Sequence, residues 1–181
     1  MSYEPETPDE PEILDEVQTP EIPAHLGTLF LHVRWQTRHD KPLLAHEDVA
    51  QAAQTAIVTR ARELRCRTLA VGFRPDHLHV VFAFPASLPI NRLAMTAMDA
   101  AARAIARALA MAGETHIAES AVWDRHFGLH TVGPETVTEA VSYVSCQAEH
   151  HAKGTLRTQW ETPSHTRPAK ERRPPPPMAT E

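Results

Sequence analysis

Apolar residues in the middle of the chain recur at two different periods, and the places where the period changes divide it into elements. Thr28 to Trp35 (TLFLHVRW) reads as a strand, and Asp40-Lys41-Pro42 as the turn that closes it. From Glu47 to Leu64 the apolar positions Ala50, Ala53, Ile57, Ala61 and Leu64 follow helical spacing. Thr68 to Phe73 and Asp76 to Phe84 form two further strands, joined around Arg74-Pro75 as a hairpin, and Pro85 and Pro89 end the second of them. Ile90 to Met111 is an alanine-rich helix with Leu93, Ala97, Ala101, Ile105 and Leu109 near one stripe. Ala121 to Thr131 gives a fourth strand, after which Gly133-Pro134 opens a last helix, with proline where its missing N–H costs nothing. The first six elements predict a ferredoxin-like α+β sandwich, an antiparallel sheet with helices over one face, followed by a C-terminal helix. The other sheet face is expected to lie open for binding. Such a scaffold does not by itself specify a function.

The two ends are patterned differently. Residues 1–25 hold five prolines and few large apolar side chains, and from Thr158 onward there are six prolines, including the run Pro174 to Pro177 beside Arg172 and Arg173. Both ends are therefore expected to be disordered, the first acidic and the second extended, flanking one domain over 26–157. Charge follows the same division. Residues 1–25 carry eight acidic and no basic side chains, whereas 26–157 carry fourteen basic and twelve acidic. The net charge of -5 thus hides a weakly basic domain, which permits nucleic-acid binding without requiring it. Cys66 and Cys146 are the only cysteines and neither sits in a paired ligand motif, which argues against a zinc ribbon or a disulfide framework. No apolar run is long enough to span a bilayer, and acidic residues stand where a signal peptide would be basic and then apolar. A cytoplasmic protein is expected, associated with the nucleoid when bound to DNA.

Candidate chemistry concentrates on the third strand. Alternation puts Leu78, Val80, Phe82 and Phe84 on one face and His77, His79, Val81 and Ala83 on the other. The large apolar face must meet the helices, so both imidazoles project from the open face, where two neutral imidazoles make half of a metal site. Along the last helix the apolar stripe is Val137, Ala140, Val141, Val144 and Ala148. Tyr143 and Gln147, four residues apart, are neighbours about a quarter turn away, with His150 on the same side. Such a set suits phosphodiester transfer. A tyrosine hydroxyl is a weak nucleophile near neutral pH but attacks a phosphate whose developing charge a divalent cation neutralises. Two imidazoles and an amide oxygen leave coordination positions for phosphate and water.

His77-Leu78-His79, preceded by Pro75-Asp76, resembles the histidine–bulky–histidine (HUH) signature of the single-tyrosine HUH transposases, the TnpA proteins of small insertion sequences and their REP-associated relatives. Leu31 to Arg38 resembles the family's opening strand, and Trp123-Asp124-Arg125 followed by Thr131-Val132-Gly133 resembles the segment before its catalytic helix. Tyr143 and Gln147 match the family's tyrosine-x-x-x-glutamine motif, and the likeness runs over about residues 26–155. The resemblance implies that Tyr143 is the nucleophile and that His77, His79 and Gln147 bind Mg or Mn. It implies cleavage and rejoining of single-stranded or hairpin DNA through a covalent 5'-phosphotyrosine. It also implies a homodimer whose subunits exchange the catalytic helix. The glutamine leans toward the insertion-sequence branch, while the helix from Ile90 lacks the lysine often found near its start. Two other readings compete. A replication initiator or relaxase of the wider class commonly places a lysine near the tyrosine, where Gln147 stands here. A noncatalytic ferredoxin-like nucleic-acid-binding module would present stacking aromatics on the open face, where the third strand shows none.

Overall fold

The computed structural model of the chain describes residues 27–113 and 117–166. The acidic segment 1–25 and the end of the chain from 167, both expected to be disordered, lie outside the described residues.

Among the described residues the strands and α-helices run in the order β1 (Thr28–Thr37), α1 (Glu47–Glu63), β2 (Arg67–Phe73), β3 (His77–Pro85), α2 (Ile90–Met111), β4 (Trp123–Val132), α3 (Val137–Ser145), α4 (Gln147–Lys153), α5 (Thr158–Glu161) and β5 (His165–Thr166). The sheet order is β2-β3-β1-β4-β5, and every pairing is antiparallel. This is the ferredoxin-like arrangement expected from the period changes. Leu31, Val33 and Trp35 of β1 join Leu78, Val80, Phe82 and Phe84 of β3 in the main core. Over them lie α1, through Val49, Ala53, Ile57 and Ala61, and α2, through Leu93, Ala97, Met98, Ala101, Ile105 and Leu109. Small alanines on both helices let them approach closely while the branched residues fill the sheet side. Each fully buried Leu or Ile contributes about 1.5–3 kcal/mol. Thr37 locks the end of β1 to the start of β3: its Oγ1 donates to the carbonyls of Lys41 at 2.6 Å and Asp76 at 2.8 Å.

Three expectations for the C-terminal part are corrected. The last helix does not open at Gly133-Pro134; a turn closed by the Thr136 N–H on the Gly133 carbonyl precedes it, and α3 begins at Val137. It is not one helix, because Cys146 leaves helical geometry at φ -101, ψ 22 and separates α3 from α4. The domain does not stop at 157, because α5 and β5 follow and Trp160 is buried. These additions also cover part of the sheet face expected to be open. Ala140, Tyr143, Val144 and Trp160 pack there on Ala70, Val81 and Val132 in a second, smaller core. No described helix is long and apolar enough to cross a membrane.

Candidate active site

Strand register builds the site. On the face away from α1 and α2, Arg34 pairs across with His79 and Gln36 with His77, while Gly72 of β2 flanks His79 on its other side. His32 pairs across with His130 of β4. The helices deliver the rest onto this polar strip. Val144 at the end of α3 rests its backbone carbonyl on Gly72, where even a methyl group would come within 2.2 Å of that oxygen. Glycine at 72 is thus what lets the tyrosine helix lie directly on the sheet.

Tyr143 and Gln147, from α3 and α4, arrive beside His77 and His79, so the four residues singled out in the sequence share one cluster within a single chain. Gln147 Nε2 lies 3.2 Å from His79 Nε2, and the Tyr143 and His79 rings are 6.2 Å apart. The Tyr143 ring stacks on His150 at 4.5 Å and meets the edge of Trp160 at 4.9 Å, which leaves its hydroxyl pointing inward.

Glu161 of α5 stands at the centre of the cluster and was not foreseen. Its Oε1 accepts from the Tyr143 hydroxyl at 2.6 Å and from Gln147 Nε2 at 2.9 Å. Its Oε2 accepts from Arg34 Nε at 3.2 Å and lies 3.3 Å from His79 Nε2 and 3.7 Å from His77 Nε2. Burial alone would raise this carboxyl, but the neighbouring His79, Tyr143 and Gln147 outweigh it and keep it ionised, well below the usual carboxylate range.

Hydrogen bonds fix how the imidazoles present themselves. His77 Nδ1–H donates to the Asp76 carboxylate at 2.8 Å, leaving Nε2 as a buried lone pair with no partner. His79 Nε2 faces both the Gln147 amide at 3.2 Å and Glu161 Oε2 at 3.3 Å, while its Nδ1 shares a hydrogen bond with His32 Nε2 at 2.9 Å. His32 is fully buried and stacked against both His79 and His130. Burial first, then the nearby Arg34 and His79, pull His77 down to about 4, despite Asp76. Burial and then His79 and His130 pull His32 down to about 2, and burial also lowers His79. All three imidazoles are therefore neutral at physiological pH, the form that binds metal. Tyr143 is the reverse case: burial and the Glu161 carboxylate push its hydroxyl up to about 12, so it is held as a protonated phenol.

Several buried electron-rich atoms thus lie in or beside this cluster. The Nε2 atoms of His77 and His151 and Oε1 of Gln147 are buried without a hydrogen-bond partner. His77, His151 and Glu161 each offer a ligand atom within 4.8 Å of the others. Such a donor set fits a divalent cation, with Asp76 behind His77 and His32 behind the adjacent His79 as outer partners. His32, Gly72, His151 and Glu161 were not assigned roles from the sequence. Of these, His32 carried a usable signal, since the alternation of β1 places it on the same face as His77 and His79.

The family model described as "Transposase IS200 like" matches residues 26–147. No curated protein matches the chain. Among solved structures, a candidate transposase from Deinococcus radiodurans is similar at 18% identity and TM-score 0.53, covering 71% of this chain and 98% of its own. A REP-associated tyrosine transposase bound to a REP hairpin is 19% identical with a TM-score of 0.45, covering 70% of this chain and 68% of its own. With the family match spanning most of the described domain, from the first strand to Gln147 of the site, the chain belongs to the IS200-like transposase family.

Proposed function

We propose that this transposase cleaves and rejoins single-stranded or hairpin DNA through Tyr143, by a covalent 5'-phosphotyrosine. The observation that carries the reading is the convergence of the Tyr143 hydroxyl and the Nε2 atoms of His79 and His77 on opposite oxygens of one carboxylate, Glu161. A nucleophile and a cation site this close serve a reaction at one phosphorus atom. Tyr143 Oη gives up its proton and bonds to phosphorus, the bond from phosphorus to the 3' oxygen breaks, and that oxygen takes up one proton to leave as a free 3'-OH. The phosphodiester energy is kept in the tyrosyl ester, so a second 3'-OH can reverse the exchange and join strands without ATP.

His77, His79 and Gln147 would hold Mg or Mn, and that cation would polarise a non-bridging phosphate oxygen and offset the charge that builds there. As described, Gln147 turns its N–H groups toward Glu161 and His79, and its Oε1 has no partner. A half-turn of the amide presents Oε1 to the same space. Asp76 holds the His77 proton away from it, His32 bonds the far nitrogen of His79, and Arg34 adds a fixed positive charge for the phosphate. The hydroxyl, pushed up to about 12, is held as a protonated phenol and gains nucleophilic strength only as it gives up that proton.

The test is a labelled hairpin oligonucleotide incubated with protein and Mg or Mn, read on a denaturing gel. The parent chain is expected to give protein-linked DNA, and Tyr143→Phe none, with hairpin binding nearly intact. Equal adduct from both proteins would overturn the mechanism.

A further inference from the structure

The proposed cation site contains one group that no motif in the sequence brings to it, and its geometry is that of a ligand. Nitrogen and oxygen donors bind small divalent cations at about 2.0–2.2 Å, so adjacent donors on one ion sit roughly 3–3.5 Å apart. Glu161 Oε2 lies 3.3 Å from His79 Nε2 and 3.7 Å from His77 Nε2, close to those separations. The His77 Nε2 atom is buried with no hydrogen-bond partner, and His77, His151 and Glu161 each offer a ligand atom within 4.8 Å of the others. Arg34 Nε donates to Glu161 Oε2 at 3.2 Å, which holds that oxygen facing the two imidazoles.

Glu161 is also placed, not swept in from a loose end. Trp160, the residue before it, is buried against His32 at 5.5 Å and Tyr143 at 4.9 Å. Arg157, at the start of α5, pairs with Glu139 of α3 and stacks over Trp160 at 4.9 Å. These contacts tie α5 to the helix that carries the tyrosine.

We infer that Glu161 is a fourth protein ligand of the divalent cation, an anionic one delivered by α5. The inference rests on the metal-dependent reading of the site. Bound through Oε2, the carboxylate keeps Oε1 on the Tyr143 hydroxyl, so one side chain sets both the ion and the nucleophile. The charge favours a hard cation of the Mg or Mn kind over softer ones.

The test measures Mn2+ binding to the full chain without DNA, by calorimetry and by the electron paramagnetic resonance signal of free Mn2+. Glu161→Gln, which keeps the shape and removes the charge, is expected to weaken Mn2+ binding about 10–100-fold, the size typical even for an outer-shell partner. His77→Ala serves as the reference loss. Glu161→Asp, which retains the charge, is expected to bind better than Glu161→Gln, and that ranking holds against a general loss of fold in either variant. If His77→Ala weakens binding and Glu161→Gln binds as tightly as the parent or tighter, Glu161 merely fills the ion's place and the inference is overturned. If neither substitution alters Mn2+ binding, the metal site itself falls, and the role of Glu161 with it.

Discussion

Gly72 offers the most direct test of how the tyrosine is held. Gly72→Ala would place a methyl carbon 2.2 Å from the Val144 carbonyl oxygen and 3.2 Å from Gln147 Cβ. A carbon and a carbonyl oxygen come no closer than about 3.3 Å in ordinary contacts, so the strand and helix must part by about 1 Å. The obstacle is backbone at the end of α3, which has no rotamer to change. Overpacking of this kind costs about 1–3 kcal/mol, and for a domain of this size a cost of 2 kcal/mol lowers the melting temperature by roughly 6–10 °C. The effect on chemistry should be larger. Tyr143 immediately precedes Val144, and a misplacement of about 1 Å at a reacting group can cost about 10²-fold in rate. Thermal melts followed by circular dichroism, beside adduct formation on hairpin DNA, measure both effects. A Gly72→Ala protein that melts with the parent and cleaves at its rate would refute the close approach of α3 to β2.

Two further outcomes follow from the site. In metal-free protein His77 is lowered to about 4 and His32 to about 2, whereas unfolded imidazoles protonate near about 6.5. Between roughly pH 4 and 6.5 the unfolded state then binds more protons, so stability is present in full above that window and is lost as pH falls through it; a melting temperature in chelator that stays level from pH 7 to 4.5 would contradict the buried, neutral histidines. The second outcome concerns assembly, since α3 docks on its own sheet in the single chain, yet only residues 133–136 link it to β4 and a partner's helix could take its place. In an exchanged dimer, mixing His77→Ala/His79→Ala protein with Tyr143→Phe protein should restore cleavage through one intact composite site, whereas mixed dimers that form and remain inactive would establish docking in cis.

The part of the fold from β1 to α2 was legible because its signals agree. Strand alternation, the prolines after β3 and the alanine stripe of α2 each fix an element, and Ile90–Met111 is found at its expected bounds. Legibility fails after Val132 for identifiable reasons. The apolar stripe Val137, Ala140, Val141, Val144 and Ala148 continues in phase through Cys146, so nothing in the pattern announces the break between α3 and α4. Helix α5 has four residues and β5 two, both shorter than any window in which a period can be seen. The one available signal there was Trp160, a large apolar residue in a polar stretch, which folds back because exposing its ring would forgo the burial it finds beside Tyr143.

The site divides along the same line. His77 and His79 are separated by the pleat alone and Tyr143 and Gln147 by one helical turn, so short-range geometry was enough to pair each set. What joins the two sets depends on long-range choices that no local pattern encodes. The β1–β3 register decides that Arg34 faces His79, and a slip of one residue would send Arg34 and His32 into the core. Glu161 needs more still: it follows Gln147 by fourteen residues, with no periodic signal between, and reaches the imidazoles only because Trp160 is buried. That dependence makes the carboxylate removable without disturbing the main core. The Nε2 atoms of His77 and His79 are set by β3, Asp76 and His32, and Glu161 supplies none of those contacts. An effect of Glu161→Gln on cation binding is therefore an effect of the lost charge, not of a disordered pair of histidines.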